Sequence, residues 1–330
     1  MSRRDLRCHR FAIAATLALL APPCAADEIW PSRPMTMVVP FAAGGTVDPL
    51  GRVLASGLSQ VLGQSVIVEN VGGAGGTLGT NRVAKAAADG YQFVFGSAGS
   101  FAQSQSLYRR PPYNTLTDFA PVALVAQQAI VLAARKDLPV SNLHEFIAYA
   151  KSNESRMQYG SPGIGSANYF ACVLFNSAIG VNVTHLAYRG GGPAMQDLIG
   201  GRTDYQCPND VLAAPLVTSG AIKGIAVLSR ERSHVLPDIE TAHEQGVTDF
   251  DVTGWFALAL PRATPETIVR KLTTATLAAL ETPDIQLQMK RIGGNLVAPE
   301  RRSPEYLQKF FASEIARWAV VVKQNALALD

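Results

Sequence analysis

The sequence predicts an α/β protein built as two lobes with a cleft between them. Three observations carry that prediction. The chain repeats one grammar four times, an apolar strand, a Gly/Ser turn and a helix-like segment, which is the pattern of parallel strands covered by helices. Once an amino-terminal leader is set aside, about 300 residues remain, more than a single hydrophobic core usually holds. No solenoid-length repeat or low-complexity linker divides the chain, so extended crossing strands should join the lobes.

The leader comes first. Arg3, Arg4, Arg7 and Arg10 form a basic region, residues 11–21 an apolar run, and Pro22-Pro23-Cys24-Ala25-Ala26 a small-residue cleavage region. Residues 1–26 therefore read as a signal peptide cut after Ala26, with general secretion favoured because Asp5-Leu6-Arg7 continues a twin-arginine pattern poorly. The apolar run is well short of the about 20 residues that span a membrane. The mature chain is expected in the periplasm.

Cleavage removes four of 29 basic and one of 26 acidic side chains, leaving 25 of each and no net charge. A neutral chain without a Lys/Arg run gives no footprint for nucleic acid or an acidic membrane surface. Cys172 and Cys207 are the cysteines left after cleavage. An oxidising compartment permits a disulfide between them, but a domain of this size does not need one, and two buried free thiols are the expectation.

The four units are residues 35–39 with Ala42-Ala43-Gly44-Gly45, residues 91–95 with Gly96-Ser97-Ala98-Gly99-Ser100, residues 157–159 with the turn 160–166, and residues 183–188 with the turn 189–193. In α/β proteins ligands sit at the carboxyl ends of such strands. Residues 121–134 and 252–261 are the expected crossing strands, placing 27–124 and 255–330 in one lobe and 125–254 in the other. Thr264-Pro265 and Ser303-Pro304 each read as a cap followed by a first-turn proline, opening helices over 266–280 and 305–323.

Enzyme signatures fail one by one. Gly73, Gly75 and Gly79 follow a strand at the spacing of a loosened dinucleotide fingerprint, yet an exported protein lies away from cytosolic nucleotide pools, and no cofactor is expected. No Gly-x-Ser-x-Gly occurs, and Ser97, Ser161 and Ser166 have no histidine that the sequence pairs with them. No His-Glu-x-x-His or Cys-x-x-Cys suggests a metal. What remains is a set of small polar donors at strand ends, which hold a molecule rather than transform it. The Gly44-Gly45 N–H groups suit a carboxylate, and Ser166 suits a helix cap beside a ligand. Asp48 sits awkwardly beside an anion site. It reads either as a ligand contact or as a cap paired with Arg52 one turn on.

Five ordered stretches, VVPFAAGGTVDPLGRVLA, ENVGGAGGTLGTNRVAKAAADGYQFVFGSAGS, YGSPGIGSANYFACVLF, YRGGGPAMQDLIGGRTDY and LPDIETAHEQGVTDFDVTGWFALALPRATP, resemble the Bug-type (TctC-like) solute receptors of tripartite tricarboxylate transporters. The resemblance covers essentially the whole mature chain. It implies a two-lobed periplasmic binding protein of type II-like architecture, each lobe a mainly parallel sheet flanked by helices. It implies a non-enzymatic, monomeric receptor that takes a small organic carboxylate and delivers it to a large and a small membrane subunit. By position it implies ligand contacts from Phe41, Ala42, Gly45 and Asp48, from Ser97 and Gly99, from Ser161, Gly165, Ser166 and Asn168, and from Arg189 and Asn209. Asn168 stands where a histidine is common, and the loop 205–210 departs from the family's usual acidic, apolar one. An exported hydrolase or lyase using the same cleft is the alternative from another class.

Overall fold

The computed structural model describes residues 30–248, 250–324 and 327, so the signal peptide and cleavage site expected from the sequence lie outside the described residues. Eleven strands are described: β1 Met35–Val39, β2 Val66–Asn70, β3 Gln92–Ser97, β4 Phe119–Ala129, β5 Val131–Arg135, β6 Gln158–Ser161, β7 Thr184–Ala187, β8 Tyr205–Gln206, β9 Ile222–Val227, β10 Thr253–Pro261 and β11 Asn295–Leu296. They form a six-stranded sheet in the order β11-β4-β10-β3-β1-β2 and a five-stranded sheet in the order β7-β6-β8-β5-β9.

The two-lobed α/β class expected from the sequence is the one observed, but the sheets are mixed rather than mainly parallel. β1 runs parallel to β2 and β3, and β6 parallel to β7 and β8. The departure comes from the crossing strands. β4 leaves the first sheet and continues past Ile130 as β5 in the second, while β10 returns beside β4 over Thr253↔Ala129 to Pro261↔Phe119. Two strands that cross between sheets in opposite directions and lie side by side must pair antiparallel.

Helix periodicity builds the layers. In the helix Val47–Leu62, Leu50, Leu54 and Leu58 recur every fourth residue and are fully buried with Met37, Val39 and Phe95 beneath them. Each such leucine contributes about 2 kcal/mol by leaving water. Gly63 ends that helix at φ 67°, a conformation that disfavours any side chain with a Cβ. The helix Pro304–Gln324 opens as the sequence predicts, with Ser303 Oγ accepting the Tyr306 N–H. The helix Glu266–Glu281 does not, because the Thr264 hydroxyl donates back to Pro261 O instead of capping.

One aromatic cluster ties the sheets together. Phe101 stacks on Phe311 at 4.9 Å, and Phe170 of the helix Ala167–Ile179 meets Trp318 of Pro304–Gln324 at 5.2 Å. Cys172 and Cys207 are bonded, with Cα atoms 5.5 Å apart, so the expectation of free thiols is overturned. The fold brings two buried positions 35 residues apart into bonding distance, and sequence spacing carries no trace of that.

Candidate ligand-binding cleft

The loop after β1 is built around Asp48. Gly44, at φ 75°, turns its N–H onto Asp48 Oδ2 at 3.0 Å. Asp48 Oδ1 accepts from Asn70 Nδ2 and pairs with Arg52 Nη2, both at 3.0 Å, and Asn70 Nδ2 also donates to Phe41 O. Burial pushes this carboxyl up, but the Gly44 N–H, Arg52 and Asn70 together outweigh it and hold its pKa below the ordinary value. Asp48 is therefore the internal anion of its own loop and does not line the cavity. It also occupies the Gly44 N–H that the sequence offers to a ligand carboxylate.

At the end of β3, the Ser97 N–H donates to Ser100 Oγ, while Ser97 Oγ is buried without a partner. Opposite, the turn after β6 closes on itself. Ser166 Oγ donates to Gly163 O at 2.7 Å and accepts the Tyr169 N–H, capping the helix Ala167–Ile179. Ser161 Oγ meets His185 Nε2 at 2.8 Å, a pairing that the sequence hides because 24 residues separate the two. His185 lies between the rings of Tyr159 and Tyr169, each centroid 4.8 Å away, and burial lowers its pKa to about 4.

The cavity between the sheets is walled by Phe41, Gly45, Thr46, Val47, Ser97, Pro162, Ala167, Asn168, Gly191, Asn209, Gly254, Trp255 and Phe256. Three of these are the first residues of the helices Val47–Leu62, Ala167–Ile179 and Gly191–Ile199, and Asn209 is the residue before Asp210–Thr218. Four helix amino termini thus open on one space, each carrying a partial positive charge of about half a unit. Among the described residues of the wall there is no Asp, Glu, Lys, Arg or His. Among the described residues, two wall atoms are buried donors without partners, Ser97 Oγ and Asn209 Nδ2. An anion placed here meets neutral donors and helix dipoles rather than a cationic side chain.

Of the residues expected at the site, Phe41, Gly45, Ser97, Asn168 and Asn209 line this cavity. Ala42, Asp48, Gly99, Ser161, Gly165, Ser166 and Arg189 do not. Ala42 backs onto Gly190, and Gly99 onto Gly165 and Ser166. Ser161 is enclosed by its own turn and His185, and the Arg189 side chain is exposed. Sequence reasoning missed the wall from β10, Gly254-Trp255-Phe256, although the VTGWF stretch that carries it marks the resemblance. Trp255 Nε1 donates to Glu314 Oε2 at 2.8 Å, which fixes the indole at the cleft.

A two-lobed α/β fold that closes a cavity at strand ends, walled by helix amino termini, defines the solute-binding proteins. The chain belongs to the tripartite tricarboxylate transporter family receptors (TctC), whose family model matches residues 50–327. Protein BugT of Bordetella pertussis is 33% identical over 311 residues, covering 94% of this chain and 94% of that protein. The structure of the periplasmic binding protein BugD is 38% identical, with a TM-score of 0.87 over 91% of this chain and 99% of its own. MatC from Rhodopseudomonas palustris with bound malate is 38% identical, with a TM-score of 0.85 over 88% of this chain and 99% of its own. The protein is a solute-binding receptor of that family.

Proposed function

We propose that this receptor works in the periplasm, as a monomer released from a leader at residues 1–26, and captures a small organic carboxylate between its lobes. The lobes divide near residues 124 and 254, and the hinge lies where β4 passes into β5 at Ile130 and where Val252 leads into β10. The ligand is then handed to the large and small membrane subunits of a tripartite transporter. The observation that carries this reading is the set of four helix amino termini around two unpartnered donors, Ser97 Oγ and Asn209 Nδ2, with no cation in the wall. The membership of the family and the malate bound by MatC support an acid as the ligand. Phe41, Gly45, Ser97 and Asn209 are the contacts; Asn168 holds the Asn209 amide from the cavity wall, and Asp48 and Ser166 shape the loops around it.

Hydrolysis in the same cleft has little to work with. The Ser161 hydroxyl that meets a histidine is enclosed outside the cavity, and Ser97, which reaches the cavity, has no base. Native mass spectrometry of freshly purified protein should show a co-purified acid. Calorimetric titration with a series of four- to six-carbon dicarboxylates, malate included, should then show saturable uptake without conversion. Turnover of a carboxylate ester, or silence towards every acid, would overturn the reading.

A further inference from the structure

The loop that presents Asn209 is tied to the helix Ala167–Ile179 at two points. The Cys172–Cys207 bond joins the second turn of the helix to the residue after β8. One turn earlier, Asn168 Nδ2 donates to Cys207 O at 2.8 Å and to Asn209 Oδ1 at 2.9 Å. The second of these bonds decides how the Asn209 amide is turned. With Oδ1 accepting from Asn168, the nitrogen is the atom that faces away, and it is a buried donor without a partner on a residue 3% exposed. Asn209 stands on the cavity wall. A turned-over amide would set two donors against each other at Asn168 and offer the cleft an acceptor, which repels a carboxylate.

We propose that Cys172, Cys207 and Asn168 are positioning residues that act through Asn209, holding its amide N–H towards the cleft for an oxygen of the bound acid. This rests on the receptor reading and deepens it: the disulfide sets affinity, not stability alone. Both sulfurs are buried, Cys172 at 0% and Cys207 at 1%, so the bond is placed as the chain folds and variants test it more cleanly than added reductant.

The experiment is a cycle with malate as probe, on wild type, the Cys172→Ala/Cys207→Ala pair, Asn209→Ala, and the three combined. Loss of one oriented hydrogen bond to a charged ligand corresponds to roughly tenfold in Kd. The cysteine pair and Asn209→Ala should each weaken malate about that much, and removing the disulfide in the Asn209→Ala background should add almost nothing. Additive losses, or a lowered melting temperature with unchanged Kd, would make the disulfide merely structural. Should the cysteine pair fail to fold, Asn168→Ala, which removes both Asn168 hydrogen bonds to the loop and leaves the disulfide in place, tests the hold on the Asn209 amide instead. Hydrogen exchange of the ligand-free protein supplies an independent arm: residues 207–210 should exchange faster without the disulfide, while residues 184–187 of β7 stay protected. If wild type takes no acid, the receptor reading falls. Unchanged exchange at 207–210 would still overturn the positioning proposal by itself.

Discussion

Gly99 and Gly165 meet across the cleft so closely that a Cβ on Gly99 would lie 2.8 Å from the Gly165 carbonyl oxygen and 2.9 Å from Ala167 N and Ser166 Cα. All three obstacles are backbone of the facing lobe, which has no flexible end to move aside. Gly75 makes the same approach, with Gly165 and Ser166 backbone 2.9 Å from its added Cβ, but its φ of 64° would also strain an alanine. Gly99 has no such handicap, and at the start of the π-helical turn Gly99–Gln103 alanine loses less backbone freedom on folding than glycine. Gly99→Ala should therefore leave the ligand-free melting temperature unchanged or slightly raised, while closure and affinity suffer. Small-angle scattering with saturating acid should show a wider particle than wild type, and the titration at least a tenfold weaker Kd. Coincident scattering profiles and equal affinities would remove Gly99 from the closure surface.

Asp48→Asn tests the anion inside the first loop. Asparagine retains one oxygen for the Gly44 N–H, but its amide nitrogen then faces Asn70 Nδ2 and Arg52, donor against donor. A stability loss of about 1–3 kcal/mol is expected, with a smaller indirect loss of affinity as the loop loosens. Chemical denaturation beside titration checks it. A large affinity change for an amino acid ligand at unchanged stability would return Asp48 to the ligand.

The four strand–turn–helix units were legible because each is a local pattern: an apolar run, a glycine turn, and a helix start. So was the class of site, small donors at strand ends. What the sequence withheld was the third dimension of those same turns. Nothing local says that Asp48 reaches back to Gly44, or that Ser166 Oγ is already used by Gly163 and Tyr169, so both looked available to a ligand. Gly99 and Gly165 looked like places where backbone approaches a small molecule, whereas they approach each other. The Ser161–His185 contact and the Cys172–Cys207 bond depend on strand order in the second sheet, which periodicity does not encode. The antiparallel return of β10 hides Trp255 from a reading that searches only the carboxyl ends of parallel strands.

Ser97 and Ser166 separate under the same substitution. Ser97 Oγ is buried and unpartnered, so Ser97→Ala removes an unsatisfied hydroxyl from the ligand-free protein and a donor from the complex. Its melting temperature should hold or rise while acid binding weakens by about 1–3 kcal/mol. Ser166 Oγ has both its bonds within the turn, so Ser166→Ala should cost about 1 kcal/mol of stability and leave affinity less affected. Thermal melts and titrations of the two variants side by side decide it, and a reversed pattern would exchange their roles.

The acid limb of stability should be set by two groups that pull in opposite directions. Burial lowers His185 from 6.5 to about 4, so between those values the unfolded chain binds a proton that the folded one refuses. Stability from His185 is thus whole above about pH 6.5, falls as pH drops towards 4, and levels off below. Asp210 has the reverse shift: burial, against hydrogen bonds from Ser233 and Val211, raises it from 3.8 to about 6. There the folded chain binds the extra proton, so Asp210 regains stability as pH falls through 6, and that gain is complete below 3.8. Denaturation at pH 7, 6 and 5 should show His185→Gln, which retains a hydrogen-bonding partner for Ser161, losing less stability on acidification than wild type. Asp210→Asn should lose more. The same slope in all three proteins would mean that neither group titrates differently in the folded and unfolded chains.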